Sequence, residues 1–185
     1  MATRAEYVPG PAFGARAEKG PERWTLILVR ELRHPPARVW QALIDPEHLR
    51  EWAPFDASGT LDVVGSTVVL TWTGTGRTSE ATVTRVEPPR VLEFGDLRWE
   101  LEPMGPDVRN SGTRLTLWHP IPPGYITWGA SGWHICFDVL DRLLGGEPIG
   151  RIAGGDAMQF GFKRLAAEYA KVFGLEEASG TSKGH

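Results

Sequence analysis

The stretch GWHICFDVLDRLLGG, residues 132–146, decides the fold. On a helix at about 100° per residue, Trp133, Phe137, Leu140 and Leu144 fall in one narrow stripe, flanked by Cys136 and Leu143. His134, Asp138 and Asp141 share a neighbouring face. His134 and Cys136 lie about 200° apart around the axis and point to nearly opposite sides, so they form no thiolate–imidazole pair within the helix. With one cysteine and no second histidine nearby, a local zinc site lacks ligands. Cys136 reads as a small buried hydrophobe at the border of the stripe. His134 and Asp138, four residues apart, read either as a surface pair or as a polar handle at a cavity mouth, where the carboxylate would raise the imidazole pKa. The segment is chiefly a helix that presses a Trp/Phe/Leu stripe against a sheet.

That sheet is legible upstream. WTLILVREL (24–32) is β-rich and is stopped by His34, Pro35 and Pro36. Val39, Trp40, Leu43 and Ile44 then recur at helical spacing, and Asp45–Pro46 opens a second short helix, PEHLREW, as N-cap and first residue. From Gly59 the period changes to two. Strands are expected near 60–64, 67–73, 79–86, 91–94, 97–102 and 113–119, separated by Gly/Pro/Asp turns. In LRWELE, Leu97, Trp99 and Leu101 face one way and Arg98, Glu100 and Glu102 the other, the pattern of a sheet packed on one face and wet on the other. Helices are expected over 128–144 and from about 156 to 173, the last with an apolar stripe of Met158, Phe162, Leu165, Tyr169 and Val172 and a stop at Gly174. Strands grouped together with helices set apart give an α+β fold, with the sheet wrapped on a helix.

Bulk properties bound the rest. A chain of 185 residues supports one hydrophobic core, and no linker or repeat divides it. Residues 1–22 read as a flexible N-terminal arm laid on the domain surface; 23–174 form the domain, and 175–185 a disordered tail. A net charge of −3 without a basic block disfavours a nucleic-acid partner. No apolar run reaches the roughly 20 residues of a membrane span, and the N-terminus lacks an apolar signal core, so no membrane insertion and a cytoplasmic location are expected. Eight tryptophans imply a bulky core or a roomy apolar pocket.

The run ELRHPPARVWQALIDPEHLREW (31–52) resembles the opening of the SRPBCC (START-like) superfamily, in which a strand leads through prolines into a VW-x-A-L helix and then a D-P-x-x-L-x-x-W helix. GTRLTLWH and GWHICFDVLDRLL are similar to the branch named for homology to the heat-shock protein 90 ATPase activator. The resemblance covers about residues 24–146. It implies a helix-grip fold, a curved seven-stranded antiparallel sheet around a long C-terminal helix, with a cavity between them. Residues 147–174 extend beyond a minimal domain of that branch, to brace it, line the pocket or contact a second copy.

The P-loop, GxGxxG and HExxH are all absent, so no catalytic residue, metal ligand or cofactor is assigned. Gly74–Thr75–Gly76 reads as a hairpin turn. His119 shares the inward face of Leu115 and Leu117 and is a candidate ligand donor or acceptor, or a general base. The expected cavity set is Trp72, Trp99, Leu101, Leu117, His119, Tyr125, Trp128, Trp133 and Phe137, with Tyr125 and Trp128 on the 120–131 connection as a lid. The expected partner is a small apolar or amphipathic molecule. Alternatives are a cyclase- or hydrolase-type enzyme using the same cavity, and a chaperone-regulating interaction module. A homodimer could form through the outer sheet face or the last helix.

Overall fold

Two prolines set the first corner. Pro35 caps and Pro36 begins a helix, where a missing N–H costs nothing, so the chain turns sharply out of its first long strand. The computed structural model describes residues 3–175 of the 185. Its strands are β1 (Ala15–Glu18), β2 (Trp24–Leu32), β3 (Phe55–Ala57), β4 (Thr67–Trp72), β5 (Thr78–Glu87), β6 (Val91–Phe94), β7 (Leu97–Pro103) and β8 (Thr113–Ile121). Its α-helices are α1 (Pro36–Ile44), α2 (Pro46–Trp52), α3 (Ile126–Leu144) and α4 (Phe162–Val172). Asp45 caps α2 by accepting from the Glu47 amide at 2.9 Å.

The strands form one antiparallel sheet in the order β1-β2-β8-β7-β6-β5-β4-β3. Register places Leu28 opposite Leu117, Leu117 opposite Trp99, and Trp99 opposite Leu92, which carries one apolar row across four strands. The register shifts between Val83 and Arg85 on β5, a bulge that adds local twist and bend to the sheet. Arg98 faces away from this row, paired with Glu93 and Glu100 and lying over Trp118. On the inner face, Trp99 packs edge-on against Trp52 and Trp133, and Phe137 of α3 closes the cluster. The α3 stripe expected from the sequence is buried against the sheet as read.

Four expectations need correction. The sheet has eight strands, where seven were expected. The strand expected at 60–64 is absent: this segment is a turn held by the Leu61 amide on the Ile44 carbonyl, with Val63 and Val64 exposed at its tip. The strand on that flank is β3, which pairs Phe55 with Trp72. The additional strand, β1, comes from the segment expected as a flexible arm. Gly14 (φ +63°) lets its carbonyl accept from the Val29 amide at 2.7 Å, a closeness that a Cβ would forbid. The last helix begins later than expected. Residues Gly154–Phe160 form a 3-10 segment, Gly161 (φ +75°) breaks it, and α4 follows. Met158 and Val172 are therefore exposed, while Phe162, Leu165 and Tyr169 carry the buried stripe. Gly174 (φ +70°) follows α4 as read, and the expected tail lies, beyond Leu175, outside the described residues. Among the described residues no helix is long and apolar enough to cross a membrane.

Candidate functional site

The N-terminal segment and the stretch after α3 wrap the helix from outside the sheet. Tyr7 is buried and donates its hydroxyl to Asp138 Oδ2 at 2.5 Å, while Arg30 Nη1 donates to Oδ1 at 2.5 Å. Arg4 donates to the carbonyls of Ile149, Gly150 and Arg151 at 3.3, 2.9 and 2.8 Å and pairs with Asp156. Arg151 reaches back to Asp56 at 2.5 Å and to the Leu49 carbonyl. Residues 149–156 are thus tied to the N-terminal segment by Arg4 and to β3 by Arg151.

This strapping leaves a hollow of about 370 Å³ beside α3. Trp128, Gly132 and Cys136, each one turn apart, form one wall. Pro54 and the β4–β5 turn at Thr73, Gly74 and Thr75 form the second, and Ala153, Gly154, Gly155, Ala157 and Met158 with Phe162 form the third. Trp128 meets Phe162 edge-to-face with ring centroids 5.3 Å apart. At one corner two glycines touch: a Cβ on Gly74 would stand 2.9 Å from Gly154 Cα, and one on Gly154 2.8 Å from Gly74 Cα. Among the described residues the only ionisable group on these walls is the Cys136 thiol, which burial pushes up to about 12, so it is a neutral apolar surface. A mid-helix glycine such as Gly132 costs about 1 kcal/mol relative to alanine.

The expected cavity residues divide into three groups. Trp99, Leu101, Leu117, Trp133 and Phe137 are brought together, but as tightly buried core; Trp99, Leu117, Trp133 and Phe137 line neither this hollow nor the smaller one described next. Leu101 borders a separate depression with Arg90 and Arg114. Trp72 and His119 stack with centroids 6.2 Å apart and share a hollow of about 150 Å³ with Ser79, Glu80 and Asp96. Trp128 alone lines the larger hollow. Tyr125 is 65% exposed, and Trp128 54%. The expected lid loop is mostly regular structure, since β8 runs to Ile121 and α3 starts at Ile126. The segment that covers a hollow is 153–158 instead.

His119 and His134 are held neutral. Trp133 Nε1–H, which can only donate, bonds to His119 Nδ1 at 3.0 Å and so places the His119 proton on Nε2. Burial pushes its imidazole down to about 4. The Tyr169 hydroxyl donates to the Phe13 carbonyl at 3.2 Å, so His134 Nδ1–H must donate to the Tyr169 oxygen at 2.7 Å. His134 Nε2 stands 3.6 Å from Asp138, too far for a good hydrogen bond, and burial pushes this imidazole down to about 4 as well. The expectation that Asp138 raises it is overturned: the carboxylate acts in that direction, but desolvation under the N-terminal segment outweighs it. Among the described residues no group of three or more His, Cys, Asp or Glu could hold a metal ion.

Sequence reasoning missed Gly132, Cys136, Thr73, Gly154, Met158 and Phe162 as walls of one hollow. Gly132 was the available signal, a glycine in the middle of a strong helical pattern.

Solved structures share this fold. The crystal structure of CalU16 from Micromonospora echinospora is 21% identical, covering 90% of this chain and 98% of that one, with a TM-score of 0.62. Its solution NMR structure gives 0.64 over 91% and 98%. EF2215 from Enterococcus faecalis, a conserved protein of unknown function, is 14% identical over 88% and 92%, with a TM-score of 0.61. DynU16, from the dynemicin biosynthetic locus, is 23% identical over 70% of this chain and 50% of that one, with a TM-score of 0.55. At these identities the likeness is one of fold. A comparison with curated proteins finds no match. Residues 23–170 match the family described as polyketide cyclase / dehydrase and lipid transport, and the chain belongs to that family.

Proposed function

We propose that the protein binds a small apolar or amphipathic molecule in the hollow between α3, the β4–β5 turn and residues 153–158. One observation carries this reading: a hollow of about 370 Å³, within the range of small-molecule sites, has walls that among the described residues carry no carboxylate, imidazole, ammonium or guanidinium group. Such walls reward burial of hydrocarbon and offer no acid–base pair to a reaction. The family description, which includes lipid transport, and a fold relative from a biosynthetic locus are in keeping with a small organic ligand.

The experiment is a thermal-shift screen of uncharged lipophilic compounds on the full chain, with Met158→Glu as control. A ligand at about 100 times its Kd stabilises the folded state by about 2.7 kcal/mol, which raises Tm by about 5–11 °C for a chain of this size. That rise is expected in the wild type and is expected to shrink in Met158→Glu, which puts a carboxylate at the mouth. If no compound raises Tm, or if Met158→Glu responds fully, the proposal fails.

A second reading, a cyclase- or hydrolase-type reaction, is favoured by His119. Its neutral ring opens on the smaller hollow beside Asp96 and Glu80, with the proton on Nε2. It requires that His119→Gln abolish a turnover that Met158→Glu spares. Likeness to the heat-shock protein 90 activator branch of the SRPBCC superfamily rests on GTRLTLWH and GWHICFDVLDRLL, and no structural observation favours a chaperone-regulating role.

A further inference from the structure

Helix α3 has two interior glycines among residues that otherwise suit a helix, Gly129 and Gly132. Packing explains the first. A Cβ at Gly129 would stand 2.7 Å from Ile121 Cδ1 and 3.5 Å from Leu26 Cδ2, so any larger residue there would push the end of the Ile121 side chain aside where the helix sits on β2 and β8. The second has no such explanation. A Cβ at Gly132 would meet nothing within 4 Å, and its backbone has no left-handed φ. Neither conformation nor close approach within the chain asks for glycine, although glycine weakens the helix.

Gly132 is, however, the middle of the α3 wall of the hollow, one turn after Trp128 and one turn before Cys136. Resting on the reading of this hollow as a ligand site, we propose that Gly132 is a ligand-contact and specificity-determining position, where a flat, uncharged, ring-bearing molecule lies on the bare backbone of α3. The missing side chain leaves a shelf one residue wide. Trp128, braced edge-on by Phe162, gives that shelf an aromatic rim, which suits a ring held face or edge against it. The Gly74–Gly154 contact closes the far corner, so the ligand's depth is set by what stands on α3. Among the described residues the walls hold no counter-ion for a charged group, which would have to remain at the open mouth.

The test measures binding of N-phenyl-1-naphthylamine, an uncharged two-ring fluorophore, to the full chain and to Gly132→Ala and Gly132→Leu, with 1-decanol as a chain-like competitor. Both variants are expected to fold and to melt at or above the wild-type Tm, because alanine and leucine favour a helix more than glycine does. Affinity is expected to fall in both, and at least about tenfold in Gly132→Leu, since a single extra methylene in an apolar pocket is worth about that much. Wild-type affinity in a folded Gly132→Leu would overturn the inference. So would tighter binding of decanol than of the fluorophore, which would identify a chain rather than a ring as the occupant. If Gly132→Leu fails to fold, Gly132→Ala decides by the same comparison, with unchanged affinity overturning the inference. The two failures separate cleanly. Binding that survives Gly132→Leu but is lost in Met158→Glu removes the role of Gly132 and keeps the hollow, whereas a wild type that binds neither compound removes both.

Discussion

Replacing Asp138 by alanine tests how the N-terminal segment is fastened to the helix that carries the site. Asp138 accepts from the Tyr7 hydroxyl and from Arg30, both at 2.5 Å. The Arg30 side chain is 11% exposed and lies over the Phe13 ring at 4.6 Å, while the Asp138 side chain is 21% exposed. Removing one partner of a buried ion pair costs about 3–5 kcal/mol, because the other charge is left without compensation. Solvent reaches this pair in part, so we expect about 2–4 kcal/mol for Asp138→Ala. Tyr7→Phe removes only one hydrogen bond to a charged group and should cost about 1.5–3 kcal/mol. The two effects share an acceptor, so Tyr7→Phe added to Asp138→Ala should cost little more than Asp138→Ala alone. Urea unfolding at pH 7 measures all four proteins, with unchanged m-values as the check on a common unfolded state. A loss of about 3 kcal/mol also appears as a Tm lowered by about 6–12 °C. If Asp138→Ala loses under about 1 kcal/mol, or if the two substitutions add in full, the pair does not fasten the N-terminal segment.

Three other outcomes follow from the same contacts. His119 and His134 are held down to about 4 from an ordinary 6.5, so between these values the unfolded chain binds protons that the folded chain does not; stability falls as pH drops through this window, by up to about 1.4 kcal/mol per pH unit for each, and urea midpoints at pH 7 and 5 should converge in a His119→Gln/His134→Gln variant. Gly154→Val places a side chain where Gly74 Cα already stands and adds strain at φ +60°, so it should lower stability by about 2 kcal/mol or more and abolish ligand-induced stabilisation, read by thermal shift. Cys136, buried and pushed up to about 12, should react with a thiol-disulfide reagent in urea but hardly at all in the folded protein, as followed by absorbance.

Much of the fold was legible because its signals are local. Asp45–Pro46 fixed α2 to the residue and helical spacing placed α1 to within a residue at each end, while period-two alternation gave β4 to β8 with small shifts at their ends. The 60–64 segment misled because Leu61, Val63 and Val64 look like a strand, although only Leu61 finds the core. Strand β1 was hard to read because ARAE alternates only small alanines with charged residues; its place is set by pairing with β2, a long-range contact. The site was read less well for a related reason. Trp99, Trp133 and Phe137 were rightly brought to one place, but bulk alone does not tell a filled core from a cavity wall. Trp52 and Phe55 fill the space between them. The hollow depends on residues 149–158, whose position is set by Arg4, Arg151 and the Gly74–Gly154 contact, none of which has a local signature.

The most direct measurement is a crystal structure, or amide chemical-shift mapping, of the full chain saturated with an uncharged aromatic ligand. The ligand should lie between Trp128, Gly132 and Met158, with shifts concentrated at residues 73–75, 128–136 and 153–158. A ligand found between α3 and the sheet, parting Trp99 from Phe137, would contradict the assignment of the site, as would shifts confined to the Trp72–His119 hollow.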